Sequence, residues 1–334
     1  MNILYTLNEK YVPHLAASMC SLCENNTHAD EITFHIVSMG LSDDSKKKIT
    51  ELSSKYGRNT VFYEIGDIRE RLSDSIGQNG FDISVVARLF AGSILPDSIN
   101  KVIYLDCDTI IIGDMLPFWN TNMNGCTIAA VAEPVVTKSR RPLLNMLPSH
   151  DYYNSGVIMF DLLKWREDGC EKIAIDYFFE NSKILVATDQ DVLNACFKGA
   201  IKTVAPKYNY GSYNIYYPYK LLRKLAGASP YVSEEIYNDS KKNPVIIHYL
   251  GEERPWRKGN THPYTNEYKK YLSMTEWKDN PDETGWGLYF FCFRIFNFVT
   301  KPFPNLRFKI IDSLIPSFMR YRQKKIKKEL KKNS

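Results

Sequence analysis

Short apolar runs alternate with longer helical patterns through the first hundred residues, and this alternation constrains the fold more than any other feature of the chain. Strands are predicted at residues 3–7, 32–38, 60–65 and 101–105, and helices at residues 11–23, 43–56 and 83–94. Strand and helix units at this spacing favour a Rossmann-like, mostly parallel sheet with helices on both faces. The expected fold class is therefore α/β.

The same pattern continues further along the chain, although less regularly. Strands are predicted at residues 127–132, 155–160 and 245–247, and helices at residues 162–180 and 190–197. In parallel sheets, ligands bind in the crevice at the carboxyl ends of the strands. Polar residues that directly follow a strand are therefore the first candidates for a functional site, and they occur at residues 6–8, at 106–108 and from 248 onward.

Charge is distributed unevenly in this chain of 334 residues, whose net charge is +5. Residues 301–334 contain eleven Lys or Arg and two acidic residues, whereas the preceding 300 residues contain four more acidic than basic residues. A strongly basic tail on a mildly acidic body indicates an anionic partner surface, for which membrane lipid and nucleic acid are the usual candidates.

The N-terminal residues lack the basic region, the long apolar stretch and the small-residue cleavage site of a signal peptide, so a cytoplasmic protein is expected. Seven scattered cysteines, an odd number, fit reduced thiols. Cys20 and Cys23 have the spacing of a redox or metal pair. Because no second pair stands at zinc-site spacing, buried cysteines on a helix are the favoured interpretation.

Two acidic residues, Asp106 and Asp108, directly follow the predicted strand 101–105. Two hard oxygen ligands separated by one residue can hold a single cation, and that cation can bridge a diphosphate. His248 ends another predicted strand, and an imidazole added to two carboxylates shifts the preference from Mg²⁺ towards Mn²⁺. A histidine considered alone is more often structural. The two strand ends together predict one cation site.

Two polar clusters have more than one interpretation. Asp189, Gln190 and Asp191 precede a helical pattern, so they fit either acidic residues at a helix start or hydrogen-bonding groups for sugar hydroxyls. Six tyrosines between residues 208 and 219 fit either platforms for sugar rings or packing at the edge of the sheet. Spacing alone leaves both alternatives open.

The C-terminal part combines an apolar helical face with clustered cations. Residues 286–300 are too short to span a bilayer. Placed on a helix, one face collects apolar side chains, namely Leu288, Phe291, Cys292, Ile295, Phe296 and Val299. Residues 306–322 mix apolar and basic side chains, and 324–332 are almost purely cationic. This combination favours a helix in the lipid interface beside anionic headgroups over a packed helix with a solvated end, and over nucleic-acid binding.

Four runs together resemble glycosyltransferase family 8, which includes bacterial lipopolysaccharide galactosyl- and glucosyltransferases and glycogenin. In the family's order, they are 104–119 (YLDCDTIIIGDMLPFW), 153–157 (YNSGV), 189–191 (DQD) and 248–256 (HYLGEERPW). The resemblance covers about residues 1–265 and implies a GT-A fold, a UDP-sugar donor, Mn²⁺ with Mg²⁺ as a possible substitute, and retention of anomeric configuration. Residues 266–334 are then a membrane-associating extension with a helical, basic tail.

The resemblance also implies a role for each matching residue. The metal ligands are Asp106, Asp108 and His248. The residues around the uridine, with the Tyr11 ring against the base, are Thr6, Leu7, Asn8 and Tyr11. The other donor-binding residues are Arg88, Asp106, Cys107, Asn154 and, at the diphosphate, Gly251 with Arg254 or Lys258. Two positions depart from the family pattern: Asn8 stands where many members have Asp, and Arg254 stands where Lys is frequent.

The catalytic residues implied by the resemblance are Asp189 and Gln190. Retention can proceed through a covalent intermediate on Asp189 or through front-face attack by the acceptor, with the Gln190 carbonyl supporting the developing cation. Front-face attack is favoured, because Gln190 is a poor nucleophile and such a mechanism is proposed for the family.

The expected function is transfer of a hexose, glucose or galactose, from a UDP-sugar to a glycan or lipid-linked saccharide in cell-surface polysaccharide or lipopolysaccharide synthesis. The enzyme would act in the cytoplasm, on the inner face of the cell membrane. A haloacid dehalogenase-like, Mg²⁺-dependent phosphatase is a rival, since residues 106–109 (DCDT) also match its pattern. That motif usually opens its domain, whereas about a hundred residues precede it here. A non-catalytic scaffold with a sugar-nucleotide fold is the other rival.

Overall fold

The computed structural model describes residues 1–64, 86–136, 140–182 and 184–315. The strands are β1 Asn2–Leu7, β2 Thr33–Ser38, β3 Asn59–Glu64, β4 Lys101–Leu105, β5 Thr109–Ile111, β6 Ile128–Ala132, β7 Tyr153–Asp161, β8 Ile201–Val204 and β9 Ile246–His248. The helices are α1 Val12–Asn25, α2 Asp43–Lys55, α3 Ala91–Ile94, α4 Leu116–Trp119, α5 Arg140–Leu143, α6 Leu162–Glu167, α7 Cys170–Asn181, α8 Thr188–Cys196, α9 Ser212–Tyr216, α10 Tyr219–Ala226, α11 Glu234–Lys242, α12 Thr265–Leu272 and α13 Gly287–Thr300. Short 3₁₀ segments lie at Glu9–Tyr11, Ala87–Phe90 and Pro206–Asn209.

In the described part of the chain, seven strands form one sheet in the order β3-β2-β1-β4-β7-β6-β8. Strand β1 is parallel to β2 and β4, β2 is parallel to β3, and β6 is parallel to β8. Strand β7 runs antiparallel to its neighbours β4 and β6. Helices α1 and α2 connect β1, β2 and β3, as a strand–helix–strand crossover requires. The predicted α/β class with a mostly parallel sheet flanked by helices is confirmed.

A small second sheet pairs β5 with β9 in antiparallel register. Thr109 lies opposite His248, and Ile111 lies opposite Ile246. The Tyr249 N–H donates to the Asp108 carbonyl over 3.0 Å and extends this pairing by one residue. Because β5 follows the acidic residues at the end of β4, the pairing brings two distant segments of the chain to one place.

The central strands of the sheet are buried on both faces, which explains why they read as apolar runs rather than as an alternation, whereas the edge strand β3 is partly exposed. On one face the Phe160 ring meets the Trp165 indole edge-to-face, with their centroids 5.1 Å apart. Beyond the sheet, Phe118 stacks on Tyr208 at 4.8 Å. Four of the six clustered tyrosines are buried, so packing accounts for them better than an open sugar platform: Tyr208, Tyr210, Tyr213 and Tyr217.

Two predicted helices differ from the structure. The helix expected at 162–180 is divided into α6 and α7, because Gly169 between them adopts a left-handed backbone with φ of 61°. The helix expected at 83–94 is a 3₁₀ turn followed by the single turn of α3, and its first three residues lie outside the described ranges. The expected core cysteines, Cys20 and Cys23, are both buried on α1.

Helix α13 and a second helical segment, residues 304–315, form the last described part of the chain. Most of the α13 side chains are apolar and open to solvent; Leu288 is 77% exposed and Phe298 is 84% exposed. No helix within the described ranges combines the length and apolar character needed to cross a membrane. The cationic residues 324–332 and part of the predicted segment 306–322 lie outside the described residues.

Candidate active site

The side chains of Asp106, Asp108 and His248 converge at the ends of β4 and β9. One ligand atom from each residue lies within 4.8 Å of the other two. The His248 Nε2 atom is 3.3 Å from Asp108 Oδ1 and 3.8 Å from Asp106 Oδ2. Two carboxylates and an imidazole at this separation can hold one divalent cation. The structure thus brings together the three residues that the sequence predicted as a cation site.

A chain of hydrogen bonds determines which nitrogen of the His248 ring faces the carboxylates. The Gly156 N–H donates to Asn154 Oδ1 over 2.9 Å, so the Asn209 amide group that also contacts this oxygen must be its donor. The Asn209 oxygen then faces His248 Nδ1 at 2.8 Å and requires the proton on Nδ1. His248 Nε2 is the nitrogen that faces Asp108, so it is the ring atom that a cation at this site would bind once Nε2 is deprotonated.

Asn209 was not predicted from the sequence. It lies in the 3₁₀ turn Pro206–Asn209 and is fully buried. Its segment has no helix or strand periodicity in the sequence and is rich in tyrosine. A single asparagine in such a segment gives no indication of which residues it contacts. Only the pairing of the chain around Tyr210, whose N–H donates to the Ile246 carbonyl over 2.8 Å, brings this residue to His248.

Asp108 is held as a charged carboxylate. The Arg254 Nη2 atom is 3.3 Å from Asp108 Oδ2, on the opposite side from His248. Burial acts to raise the pKa of Asp108, but the neighbouring His248 and Arg254 outweigh it and keep that pKa below its ordinary value. The carboxylate is therefore available as an anionic ligand.

Arg88 holds Asp106 in place from the other side. Its Nη2 atom is 3.0 Å from Asp106 Oδ1, which also accepts a hydrogen bond from the Tyr104 hydroxyl over 2.7 Å. The same guanidinium reaches Asp189 Oδ2 at 3.1 Å and donates to the Ser155 carbonyl over 2.7 Å. Because Oδ1 is occupied in this way, Asp106 Oδ2 is directed towards His248. Arg88 thus links two carboxylates of the site, a role that the sequence did not predict.

Within the triplet 189–191, the helix-start interpretation fits Asp191, while a role in binding sugar hydroxyls stays a prediction. Asp191 is fully buried and accepts from the N–H groups of Val186 and Ala187 at 2.9 and 2.7 Å, so it stabilises the start of α8. It also forms an ion pair with the buried Arg140. Gln190 instead faces Asn154, whose amide donates to Gln190 Oε1 over 3.1 Å.

Glu133 is a further carboxylate of the site that sequence reasoning missed. Its Oε2 accepts from Asn154 Nδ2 at 3.0 Å and from Gln190 Nε2 at 3.2 Å. Burial raises the pKa of Glu133, although these amide donors oppose the rise. A usable signal was present, since Glu133 directly follows the apolar strand β6 and so meets the same strand-end criterion as Asp106.

Gly156 has no side chain, and the room that this leaves is occupied by the side chains of His248 and Asp106. A Cβ atom at this position would lie 2.2 Å from His248 Cε1 and 2.7 Å from Asp106 Oδ2, far inside van der Waals contact. Glycine in the 153–157 run is therefore needed for close approach of two predicted metal ligands, rather than for an unusual backbone angle.

The residues expected around the nucleotide lie next to this cluster. The Tyr11 hydroxyl accepts from Arg254 Nη1 over 2.7 Å, and Arg254 Nε donates to the Gly251 carbonyl over 3.1 Å. The Thr6 hydroxyl is 3.3 Å from the Tyr104 hydroxyl, which in turn donates to Asp106. Arg254 therefore connects the expected uridine pocket to Asp108.

Four other residues that are expected to bind the UDP-sugar make fewer contacts with the cluster. Leu7 and Cys107 are buried, and the Cys107 thiol lies 4.0 Å from the Thr6 carbonyl. The buried Asn8 Oδ1 atom has no hydrogen-bond partner in the part of the chain that the structure describes. Lys258 is exposed, and its backbone N–H donates to the Glu283 carbonyl. Of the two cations expected at the diphosphate, Arg254 is the one that contacts Asp108.

Replacing Gly156 by Ala is expected to weaken binding of Mn²⁺ by about tenfold to a hundredfold, because the new methyl group displaces His248 and Asp106. Electron paramagnetic resonance of free Mn²⁺ in a titration measures this affinity. Gly287→Ala is the matched control, since a Cβ there meets nothing within 4 Å. Unchanged Mn²⁺ affinity in a folded Gly156→Ala protein would contradict the expected role of this glycine.

Comparison with known proteins agrees with this geometry. The sequence profile of glycosyl transferase family 8 matches residues 2–259. General stress protein A of Bacillus subtilis is 28% identical over 280 residues, which cover 83% of this chain and 94% of that protein. The lipopolysaccharide 1,2-glucosyltransferase of Escherichia coli K12 is 26% identical over 282 residues, covering 84% of this chain and 80% of the relative.

A solved structure supports the fold. The galactosyltransferase LgtC, crystallised with donor and acceptor sugar analogues, superimposes with a TM-score of 0.70 at 21% identity. The superposition covers 83% of this chain and 96% of LgtC, and identifies the sheet and its helices as a GT-A fold. Since the family profile spans most of the chain, including the two strand ends that carry the carboxylates and the imidazole, the chain is a glycosyltransferase that belongs to family 8.

Proposed function

We propose that this chain is a retaining hexosyltransferase that uses a UDP-sugar donor and a Mn²⁺ ion held by Asp106, Asp108 and His248. The convergence of these three ligand atoms within 4.8 Å is the observation that carries the proposal. These three ligands fit Mn²⁺, because an imidazole beside two carboxylates suits a softer ion than Mg²⁺. Mg²⁺ is a possible substitute. When bound, the cation would neutralise the charge of the donor diphosphate.

The chain supplies its own positive charge at the leaving group. Arg254 is the cation nearest to Asp108, and its guanidinium can donate two parallel hydrogen bonds to phosphate oxygens. Gly251, three residues earlier, has φ of 75° and offers backbone without a side chain at the same turn. Fixed donors of this kind stabilise charge that develops on the diphosphate as the glycosidic bond breaks.

The buried oxygen of Asn8 supports a uracil partner. An amide oxygen can only accept a hydrogen bond, and the uracil N3–H is a donor of suitable type. The Tyr11 ring, whose hydroxyl is held by Arg254, can stack against the base, while Thr6, Leu7 and Cys107 complete this side of the pocket. Asparagine in place of aspartate keeps this acceptor without adding a charge.

Asn154, Asp189 and Gln190 are the proposed sugar-binding residues, and their contacts favour front-face attack. Asp189 is buried and its carboxylate is paired with Arg88, which lowers its availability as a nucleophile. Gln190 is held by Asn154 and by the Ser155 N–H, which donates to Gln190 Oε1 over 3.2 Å. A restrained amide can present its oxygen to a developing cation without being consumed.

The acceptor is proposed to be a glycan or lipid-linked saccharide of the cell surface, as in lipopolysaccharide synthesis, with the enzyme cytoplasmic and peripheral on the inner membrane face. One relative is named as a lipopolysaccharide glucosyltransferase, and exposed apolar side chains of α13 could enter the lipid interface beside the basic tail. We assign residues 1–265 to the transferase domain and 266–334 to this membrane-associating extension. Nucleic acid is not a proposed partner.

The two rival functions gain no support from the site. If the chain were a phosphatase, Asp106 would have to act as a free nucleophile. Its Oδ1 atom is instead bound by Arg88 and by the Tyr104 hydroxyl. A scaffold without activity would not need the hydrogen-bond chain that directs His248 Nε2 towards Asp108. Both rivals predict no release of UDP from a UDP-sugar.

Wild-type protein incubated with Mn²⁺ and either UDP-glucose or UDP-galactose is expected to release UDP. Asp108→Asn is expected to lower this turnover by about a hundredfold or more, because a charged ligand is lost from the cation site. Asp97→Asn, whose side chain is 100% exposed, serves as the control and should match the wild type. Undiminished Mn²⁺-dependent turnover in Asp108→Asn would discard the assignment, and absence of UDP release by the wild type would favour a rival.

The proposed mechanism predicts that no covalent sugar adduct accumulates. Protein incubated with donor and Mn²⁺ but no acceptor, then digested and analysed by mass spectrometry, should show an unmodified peptide around Asp189. A hexose mass on Asp189 would overturn front-face attack in favour of the covalent route. Asp191→Asn is not a suitable control, because it removes the partner of buried Arg140 and should cost about 3–5 kcal/mol of stability.

The proposed membrane-associating extension, residues 266–334, is expected to bind anionic vesicles. Full-length protein should sediment with vesicles of phosphatidylglycerol and phosphatidylcholine, but much less with phosphatidylcholine alone, and salt should weaken the binding. The Phe298→Ser and Leu288→Ser variants should bind severalfold less, since each removes an exposed apolar contact. Leu147→Ser, which is 59% exposed outside the extension, is the control. Equal binding by all variants and vesicles would contradict this role.

A further inference from the structure

The loop that carries Arg254 is joined to helices beyond the family-matched region. We name residues 250–257 the donor loop; they follow β9 and include Gly251 and Arg254. The family profile ends at residue 259, whereas two sets of contacts connect the donor loop to residues 283–308. Both sets involve an arginine whose guanidinium lies on an aromatic ring.

The first set is centred on Arg257 at the end of the donor loop. Its guanidinium forms an ion pair with Glu252 and another, at 3.1 Å, with Glu283. The same group lies 3.7 Å from the centre of the Trp286 ring, directly before α13. Backbone hydrogen bonds reinforce this contact, because the Glu283 N–H donates to the Trp256 carbonyl over 2.8 Å.

The second set is centred on Arg307 and is more deeply buried. Arg307 is 3% exposed, and it donates to Asn297 Oδ1 over 2.6 Å and to the Thr300 hydroxyl over 3.1 Å. Its guanidinium lies 4.2 Å from the centre of the Tyr216 ring. The Tyr216 hydroxyl in turn donates to Glu253 Oε1 over 2.6 Å. One arginine therefore connects the last two helical segments, through Tyr216, to the residue beside Arg254.

These contacts have an energetic consequence for Arg254. The donor loop has exposed backbone at Gly251, and an unrestrained loop must be ordered when a diphosphate binds, at a cost in conformational entropy. Residues 252, 253 and 257 are already held by partners in the folded protein. A buried cation on an aromatic face adds to the stability of such an arrangement.

We infer that Arg307 is a positioning residue of the donor site, acting through Tyr216 and Glu253 to hold Arg254 ready for the donor diphosphate. This inference rests on the proposed function, since it takes a nucleoside diphosphate as the ligand of the donor loop. It assigns the C-terminal helices a part in donor binding in addition to any contact with lipid.

Calorimetric titration of the full chain with UDP in the presence of Mn²⁺ tests the inference without requiring turnover. Arg307→Ala is expected to bind UDP roughly tenfold more weakly, a fold-change typical of losing one well-placed contact. Its affinity for Mn²⁺ alone should fall much less than its affinity for UDP, because Asp106, Asp108 and His248 lie outside the donor loop and Arg254 contacts only Asp108 among them. Arg307→Lys should recover part of the loss, and Arg294→Ala, an exposed arginine on α13, should behave as wild type.

Tyr216→Phe gives a second, milder variant in case Arg307→Ala does not fold. It keeps the ring under Arg307 but removes the hydrogen bond to Glu253, so it should also weaken UDP binding. Hydrogen exchange adds an independent readout, because coupling is reciprocal: UDP should protect residues 287–315 in the wild type and not in the variants. Equal UDP affinity in wild type and variants, without such protection, would overturn this inference alone. Failure of the wild type to bind UDP would overturn the proposed function and the inference together.

Discussion

The pairing of β5 with β9 is the contact on which the whole site depends. It places His248 opposite Thr109, directly after the two aspartates that follow β4. Two carboxylates at such short range repel each other and are costly to bury unless positive groups neutralise them. Arg88 at Asp106 and Arg254 at Asp108 supply that charge from opposite sides. The small sheet therefore brings together a candidate cation site in which each carboxylate is paired with an arginine.

Around this pairing, the polar groups restrain one another. The backbone N–H of Gly156 orients Asn154, which orients Asn209, which sets the proton on His248. Asn154 also contacts Gln190 and Glu133, so these two side chains belong to the same network as His248. Satisfied networks of this kind are rigid in a buried environment, which keeps catalytic groups close to their working geometry without reorganisation.

The C-terminal helices hold a loop in place through contacts of the same kind. A loop that binds phosphate must approach its ligand closely, and small residues such as Gly251 allow this at the expense of packing. Support must then come from neighbouring elements, and Trp286 and Arg307 provide it here from outside the family-matched region. The exposed apolar helix α13 and residues 250–257 are thus joined by side-chain contacts, which connects the C-terminal helices to the turn that carries Arg254.

Much of this protein could be predicted from the sequence, because local patterns report local structure. The periodicity of apolar residues determined the α/β class, and polar residues after strand ends identified Asp106, Asp108 and His248. The tertiary structure alone decided that Asn209 places a proton on His248 Nδ1, that Arg88 joins Asp106 to Asp189, and that Asp191 stabilises the start of α8. These roles depend on side chains that are distant in sequence and adjacent in space, and periodicity carries no information about which distant partners meet.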